Sequence, residues 1–150
     1  MDRDLVRNIE WDCVRLVNEF YCALDEKRYE DLANLFAPEG IWNRLGIDLK
    51  GPPQILASMD TRSDWLTAHL VSNTRVRVLS QDHAETTQYI TLYRHEGWVP
   101  EHGPAAVVLP LGVLKHWDTH VRIDGDWKIA KKVSQAIMID RSRVSKYDKK

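Results

Sequence analysis

The sequence predicts an α+β fold, and three observations carry that prediction. Apolar residues recur at three- and four-residue steps through the first 25 residues. From Trp65 onward, β-branched and aromatic residues dominate. Gln81-Asp82-His83 and Asp124-Gly125-Asp126 punctuate that second half as hairpin turns. Helices first and an antiparallel meander after is the order of an α+β chain, not of alternating βαβ units.

Leu5, Ile9, Cys13, Leu16, Val17, Phe20 and Leu24 form the apolar stripe of the first helix, opposite Arg7, Asn8, Arg15 and Asn18. A second, shorter helix is expected from about Tyr29 to Phe36, stopped by Ala37-Pro38-Glu39-Gly40. Ile41 to Arg44 reads as a short strand. Gly51-Pro52-Pro53 opens a third helix running to Met59, with proline suited to a first turn. Strands are then expected at about 66–79, 84–94, 105–123 and 127–139, with a longer loop from His95 to Pro104. Pro110, inside an apolar run, suggests a bulge or an edge. In the last hairpin Trp117, Val121 and Ile123 alternate on one strand, and Trp127, Ile129 and Val133 on the other. That apolar side is expected to lie under the N-terminal helices, which puts the row His116, Asp118, His120 and Arg122 outside, wet or used in self-association.

The 150 residues contain no repeat, low-complexity block or linker, so one domain spanning 1–150 is expected. The 21 basic and 22 acidic residues nearly cancel, which argues against a nucleic-acid footprint or a membrane surface. Met1-Asp2-Arg3-Asp4-Leu5 carries charges where a signal peptide needs an apolar run, so a cytoplasmic protein is the expectation. Cys13 and Cys22 would lie roughly 13 Å apart on one helix, too far for a disulfide, and read as buried free thiols.

Several segments resemble the nuclear-transport-factor-2-like superfamily, and within it the SnoaL-like domain. Phe20-Tyr21-Cys22-Ala23-Leu24-Asp25, with Tyr29-Glu30-Asp31-Leu32 and Leu35-Phe36-Ala37-Pro38, resembles the helical opening of these proteins. Thr67 to Asn73 resembles their first long strand, and Asp124 to Ile129 their final hairpin. The resemblance implies a cone of strongly curved, mostly antiparallel sheet covered by three helices, a cystatin-like barrel around one pocket. It also implies cofactor-free proton transfer on a small apolar, oxygenated ligand: dehydration, isomerisation or cyclisation, as in scytalone dehydratase and bile-acid 7α-dehydratase. His69 to Asn73, Arg75-Val76, Tyr93-Arg94 and Ile129 to Lys132 resemble beta subunits of ring-hydroxylating dioxygenases, which implies the alternative of a non-catalytic structural or ligand-binding subunit. A homodimer or homotrimer is expected from the same resemblance.

His69 matches the histidine that serves as general acid or base in both dehydratase groups; imidazole titrates near working pH. By alternation, however, His69 and Val71 share a face with Arg75 and Arg77. Either a bulge between positions 71 and 76 resets the phase, or His69 points away from the core. Asp25 matches an acidic residue of the bile-acid dehydratase pattern, and carboxylate plus imidazole would make an acid–base pair; otherwise it is a solvated helix end. Tyr21, one turn earlier, would hold a ligand oxygen. These three are the candidate catalytic residues. Trp42, Asn43, Tyr89, His116 and Asp118 are the candidate binding residues, and core aromatics or outer polar residues would look the same. The chain departs from the dehydratase patterns at Cys22, Thr91 and Ala136, where an aspartate, a second acid and an arginine would stand. No metal is expected: His116 and His120 would be roughly 13 Å apart on an extended strand.

Overall fold

A computed structural model describes residues 1–44 and 46–144. Helix α1 spans Arg3–Asp25, α2 Tyr29–Asn34 and α3 Gly51–Met59. The strands are β1 Phe36–Arg44, β2 Ile47–Lys50, β3 Leu66–Val78, β4 His83–His95, β5 Gly112–Ile123 and β6 Asp126–Ile139. One six-stranded sheet has the order β2-β1-β6-β5-β4-β3. Only β1 and β6 pair in parallel; every other neighbour is antiparallel. This is the α+β architecture expected: three helices on a curved, mostly antiparallel sheet.

Asp2 caps α1 by accepting from the Leu5 N–H, satisfying one of the free amides of the first turn. The buried face of α1 is Ile9, Cys13, Leu16, Val17, Phe20, Tyr21, Ala23 and Leu24. Phe20 sits edge-on to Tyr21, Phe36 and Trp42, with ring centroids 5.0, 6.0 and 5.2 Å away. That aromatic knot ties α1 to β1. Cys22 lies on the exposed face, so only Cys13 is the buried thiol expected; burial pushes it up to about 12.

Two differences from the sequence reading are local. β1 starts at Phe36 and runs through Pro38, and β2, unforeseen, folds back on it. The expected strand over 105–123 begins only at Gly112; Pro110 precedes it and neither bulges nor edges it. Gly112 lies so close to β6 that a Cβ would meet the Met138 carbonyl oxygen at 2.4 Å. The β5–β6 turn is the expected one: Asp124 and Gly125 both have positive φ, 51° and 92°, as a two-residue turn of that handedness requires.

Three register shifts decide which side chains face inward. In β3, Asn73 and Thr74 stand opposite the single Gln88, with Asn73 at φ 53°. Before this bulge His69 and Val71 point in; after it Thr74, Val76 and Val78 do. In β6 the pairing slips by one residue at Ala130 and again at Ile137. The first slip turns Lys132 inward, fully buried.

In the last hairpin β5 is oriented opposite to the expectation, while Trp127 and Ile129 of β6 pack inward as expected. His116, Asp118 and His120 are buried, while Trp117 is 37% exposed. The reason is a built interior for the polar row. Lys132 Nζ donates to Asp118 Oδ2 at 2.8 Å, Gln88 Nε2 donates to the same oxygen at 2.7 Å, and Thr86 Oγ1 meets His120 Nε2 at 3.0 Å. Outside, Lys115 Nζ lies over the rings of Trp117 and Tyr89 at 5.1 and 5.6 Å, shielding the aromatics from water. His116, Asp118 and His120 are thus covered within the chain, and of that row Arg122 alone is exposed.

Candidate functional site

The cavity under α1 has a volume of about 1210 Å³. Its wall includes Phe20, Tyr21, Trp42, Trp65, Leu92, Leu114 and Ala136, which make it mostly apolar, with His69, His116 and Ser134 among its polar points. The bulge at Asn73 resolves the phase question in favour of the inward His69.

His69 is held from behind. Its backbone N–H donates to Asp25 Oδ2 at 2.7 Å, and its Nδ1 lies 2.6 Å from Asp25 Oδ1. α1 ends at Asp25, with Lys27 at φ 60° two residues on, and that end brings the carboxylate to the start of β3. Thr67 Oγ1 also donates to Asp25 Oδ1, at 2.8 Å. Arg62 Nη2 contacts the same hydroxyl at 2.9 Å. Arginine has only donors, so Thr67 accepts from Arg62 and has its one proton left for Asp25. Burial alone would raise the Asp25 pKa, but the bonds from His69 and Thr67 outweigh it and hold the carboxyl below its ordinary value. An ionised Asp25 facing Nδ1 makes that nitrogen the proton-bearing one. In that tautomer of the neutral ring, Nε2 carries the lone pair.

Tyr21 stacks on His69 at 5.5 Å and meets His116 edge-on at 5.7 Å. Burial, then Asp118 and Asp25, push its phenol well above the ordinary value, so it stays protonated. His116 lines the cavity; burial and then Lys132 push its pKa well down, so it is neutral. The Tyr21 hydroxyl, Trp42 Nε1 and His116 Nδ1 are buried with no hydrogen-bond partner among the described residues.

The other candidates lie elsewhere. Asn43 does not line the cavity: it sits at the β1–β2 turn, donating to Asp48 Oδ1 at 2.6 Å and accepting from the Gly46 N–H. Tyr89 is on the outer face with Lys115 across its ring. Asp118 is inward but sealed behind the wall by Lys132 and Gln88. The residues missed are Arg62, Thr67, Lys132 and the cavity arginines Arg44, Arg94 and Arg141. Of the three departures from the dehydratase patterns, Cys22 is exposed and Thr91 only half-buried, neither on the cavity, and only Ala136 lines it. Among the described residues no three His, Cys, Asp or Glu side chains converge to hold a metal ion. No helix among them is long and apolar enough to cross a membrane.

A curved sheet and three helices closing on a deep cavity define the cystatin-like α+β class. Within it, the chain belongs to the SnoaL-like domain family, which its residues 8–133 match. No curated protein sequence matches it. Among solved structures, a scytalone dehydratase-like protein from Novosphingobium aromaticivorans superposes with a TM-score of 0.77 at 18% identity, over 96% of this chain and 94% of that one. The hexachlorocyclohexane dehydrochlorinase LinA-type3 from Novosphingobium barchaimii gives 0.76 at 17% identity, over 93% of both chains. A cystatin-like-fold protein of unknown function from Nostoc punctiforme gives 0.69 at 20% identity, over 89% and 92%. At these identities the likeness is one of fold.

Proposed function

We propose that the chain is a small-molecule enzyme in which His69, held by Asp25, moves a proton on a largely apolar, oxygen-bearing ligand, most simply in an elimination. The observation that carries this is the 2.6 Å contact between His69 Nδ1 and Asp25 Oδ1 on the wall of the cavity. In such a step Nε2 takes a proton from a carbon, the C–H electron pair forms a double bond, and the leaving group departs with its own pair. The imidazolium formed is stabilised by Asp25 and returns its proton to the leaving oxygen or to water. Tyr21, kept protonated, is the candidate donor to a ligand oxygen. The likeness of its fold to a dehydratase-like protein and to a dehydrochlorinase supports an elimination.

The test is a panel of apolar β-hydroxy and β-halo compounds scanned for elimination by mass spectrometry. On any compound turned over, His69→Ala with an unchanged circular dichroism spectrum should lose about 10²–10⁴-fold in rate. Full turnover by that variant overturns the mechanism. Binding without turnover by the unaltered chain turns the reading to a ligand-binding module.

A further inference from the structure

We infer that His116 is a second ligand contact in the cavity: a hydrogen-bonding imidazole that holds an uncharged oxygen of the ligand, a ketone, phenol or alcohol, at the end away from His69. This contact lies in the same cavity as the proposed proton transfer and rests on that reading of it. It narrows the ligand to an apolar body with an oxygen function at each end.

His116, Asp118 and His120 share the inward face of β5, and all three are buried. His120 Nε2 meets Thr86 Oγ1, and Asp118 takes both Lys132 and Gln88. His116 is 5% exposed and has no hydrogen-bond partner among the described residues. It is also the one member of the row on the cavity wall. Buried polar groups are paired as a rule, and one left unpaired is destabilising. The side chain of the row that the protein leaves without a partner is thus the one that a ligand can reach.

The ring has one nitrogen to offer. Nδ1 is sealed, so Nε2 is the nitrogen open to the cavity. Burial and then the Lys132 charge keep the ring neutral, with a single proton. A sealed N–H without an acceptor is rarer than a sealed lone pair without a donor, which puts the proton on Nε2 and makes it a donor to an acceptor oxygen. Ser134 stands directly opposite His116 across the β5–β6 ladder and also lines the cavity. Opposite residues share a face, so its hydroxyl comes beside the imidazole. The two cavity imidazoles are set apart: His69 pairs with Leu92 of β4, and His116 with Gln88, four residues further along. Tyr21 lies between them, its ring centroid 5.5 Å from that of His69 and 5.7 Å from that of His116. Leu114 and Ala136 form the row between and are apolar. The charges nearest His116 on its own sheet face, Lys132 and Asp118, are sealed and spent on each other. An uncharged oxygen therefore suits that end.

The bicyclic ketone α-tetralone and its oxygen-free counterpart tetralin test this on the full chain without turnover. Tryptophan fluorescence reads binding, since Trp42 and Trp65 stand on the cavity wall. His116→Phe should weaken the ketone about tenfold and leave tetralin unweakened. His116→Gln keeps a donor and should hold the ketone to within about threefold of the unaltered chain, which separates lost bonding from lost packing. A measurement without any variant is the NMR resonance of the ketone's labelled carbonyl carbon, which should move downfield on binding, as a hydrogen-bonded carbonyl does. No binding of the ketone at millimolar concentration, a bound carbonyl resonance at its position in cyclohexane, or a ketone affinity unmoved by His116→Phe overturns the inference. The two readings of the cavity fail separately. Full turnover by His69→Ala sinks the dyad and leaves the carbonyl shift of the unaltered chain untouched. An unshifted carbonyl sinks the His116 contact and leaves the His69→Ala rate untouched.

Discussion

Two carboxylates in this molecule each face a partner able to carry a positive charge, and the folding context separates them completely. Asp25 and His69 meet at the cavity edge, with 22% and 10% of their side chains exposed. Asp118 and Lys132 meet behind the cavity wall with none exposed. At Asp25 both oxygens are used, by two bonds to His69 and one from Thr67. At Asp118 one oxygen takes both Lys132 and Gln88 while the other has no partner among the described residues. Lys132 also lies 4.3 and 4.9 Å from the Phe20 and Tyr21 ring centroids. Burial lowers its pKa, opposed by Asp118. A saturated carboxylate near a cavity can wait for a proton to arrive; a sealed pair fixes the fold around it. The contrast teaches that charge alone does not tell the two pairs apart, whereas access and complete hydrogen bonding do.

The comparison breaks most visibly at Lys132. Lys132→Met leaves Asp118 alone in the interior and should lower stability by about 3–5 kcal/mol in urea unfolding. Adding Asp118→Leu should restore much of that loss. A single variant as stable as the unaltered chain would show that the interior pair is dispensable.

Next in size is an acid limb. Burial holds His120 down to about 4, against about 6.5 when free. Between those values the unfolded chain binds the extra proton and the folded one does not, so stability falls as pH drops through the window. The contribution of His120 alone is about 3 kcal/mol, and His116 acts in the same direction. Asp25, with its pKa lowered, contributes stability above the ordinary carboxylate pKa. That contribution is lost only as pH falls through its lowered pKa, later in the same limb. Denaturant titrations from about pH 7 to about pH 4 should show the loss, and His120→Gln should flatten it.

At the cavity pair the effect moves from stability to rate. Asp25→Asn should cut turnover about 100-fold or more, because an amide no longer stabilises an imidazolium, while costing only about 1 kcal/mol of stability. A variant that unfolds before it slows would make the two pairs alike after all.

The smallest effect is expected at the β3 bulge. Asn73→Val places a branched residue at positive φ and should cost about 1 kcal/mol in thermal unfolding, with Asn73→Gly neutral.

The order of elements was legible because it rests on strong signals: the α1 stripe, the proline-led α3 and the Asp124-Gly125 turn. His69 and Asp25 were legible through the segments around them. Inside and outside along β5 were not. His116, Asp118 and His120 alternate with Trp117, Thr119 and Val121, and alternation gives two faces without saying which is covered. Hydropathy favours burying Trp117, and the deciding partner, Lys132, is hidden in a Lys-Lys pair whose phase depends on a slip at Ala130. Tyr89 and Asn43 were misplaced for the related reason that an aromatic or amide in a strand looks alike on either face. Arg62 sits in a turn with no motif, and its neighbours Leu24, Tyr29 and Thr67 come together only in the folded chain.

The extra residue at Asn73 divides β3 into two splints joined at a wrist. The side-chain phase that begins at the far hairpin, around Ser80 to His83, is reset at that joint before it reaches His69. The end of β3 beyond the joint and the end that carries His69 therefore keep separate inward phases. Removing the joint by one residue would abolish that separation and swing every side chain beyond it to the wrong side.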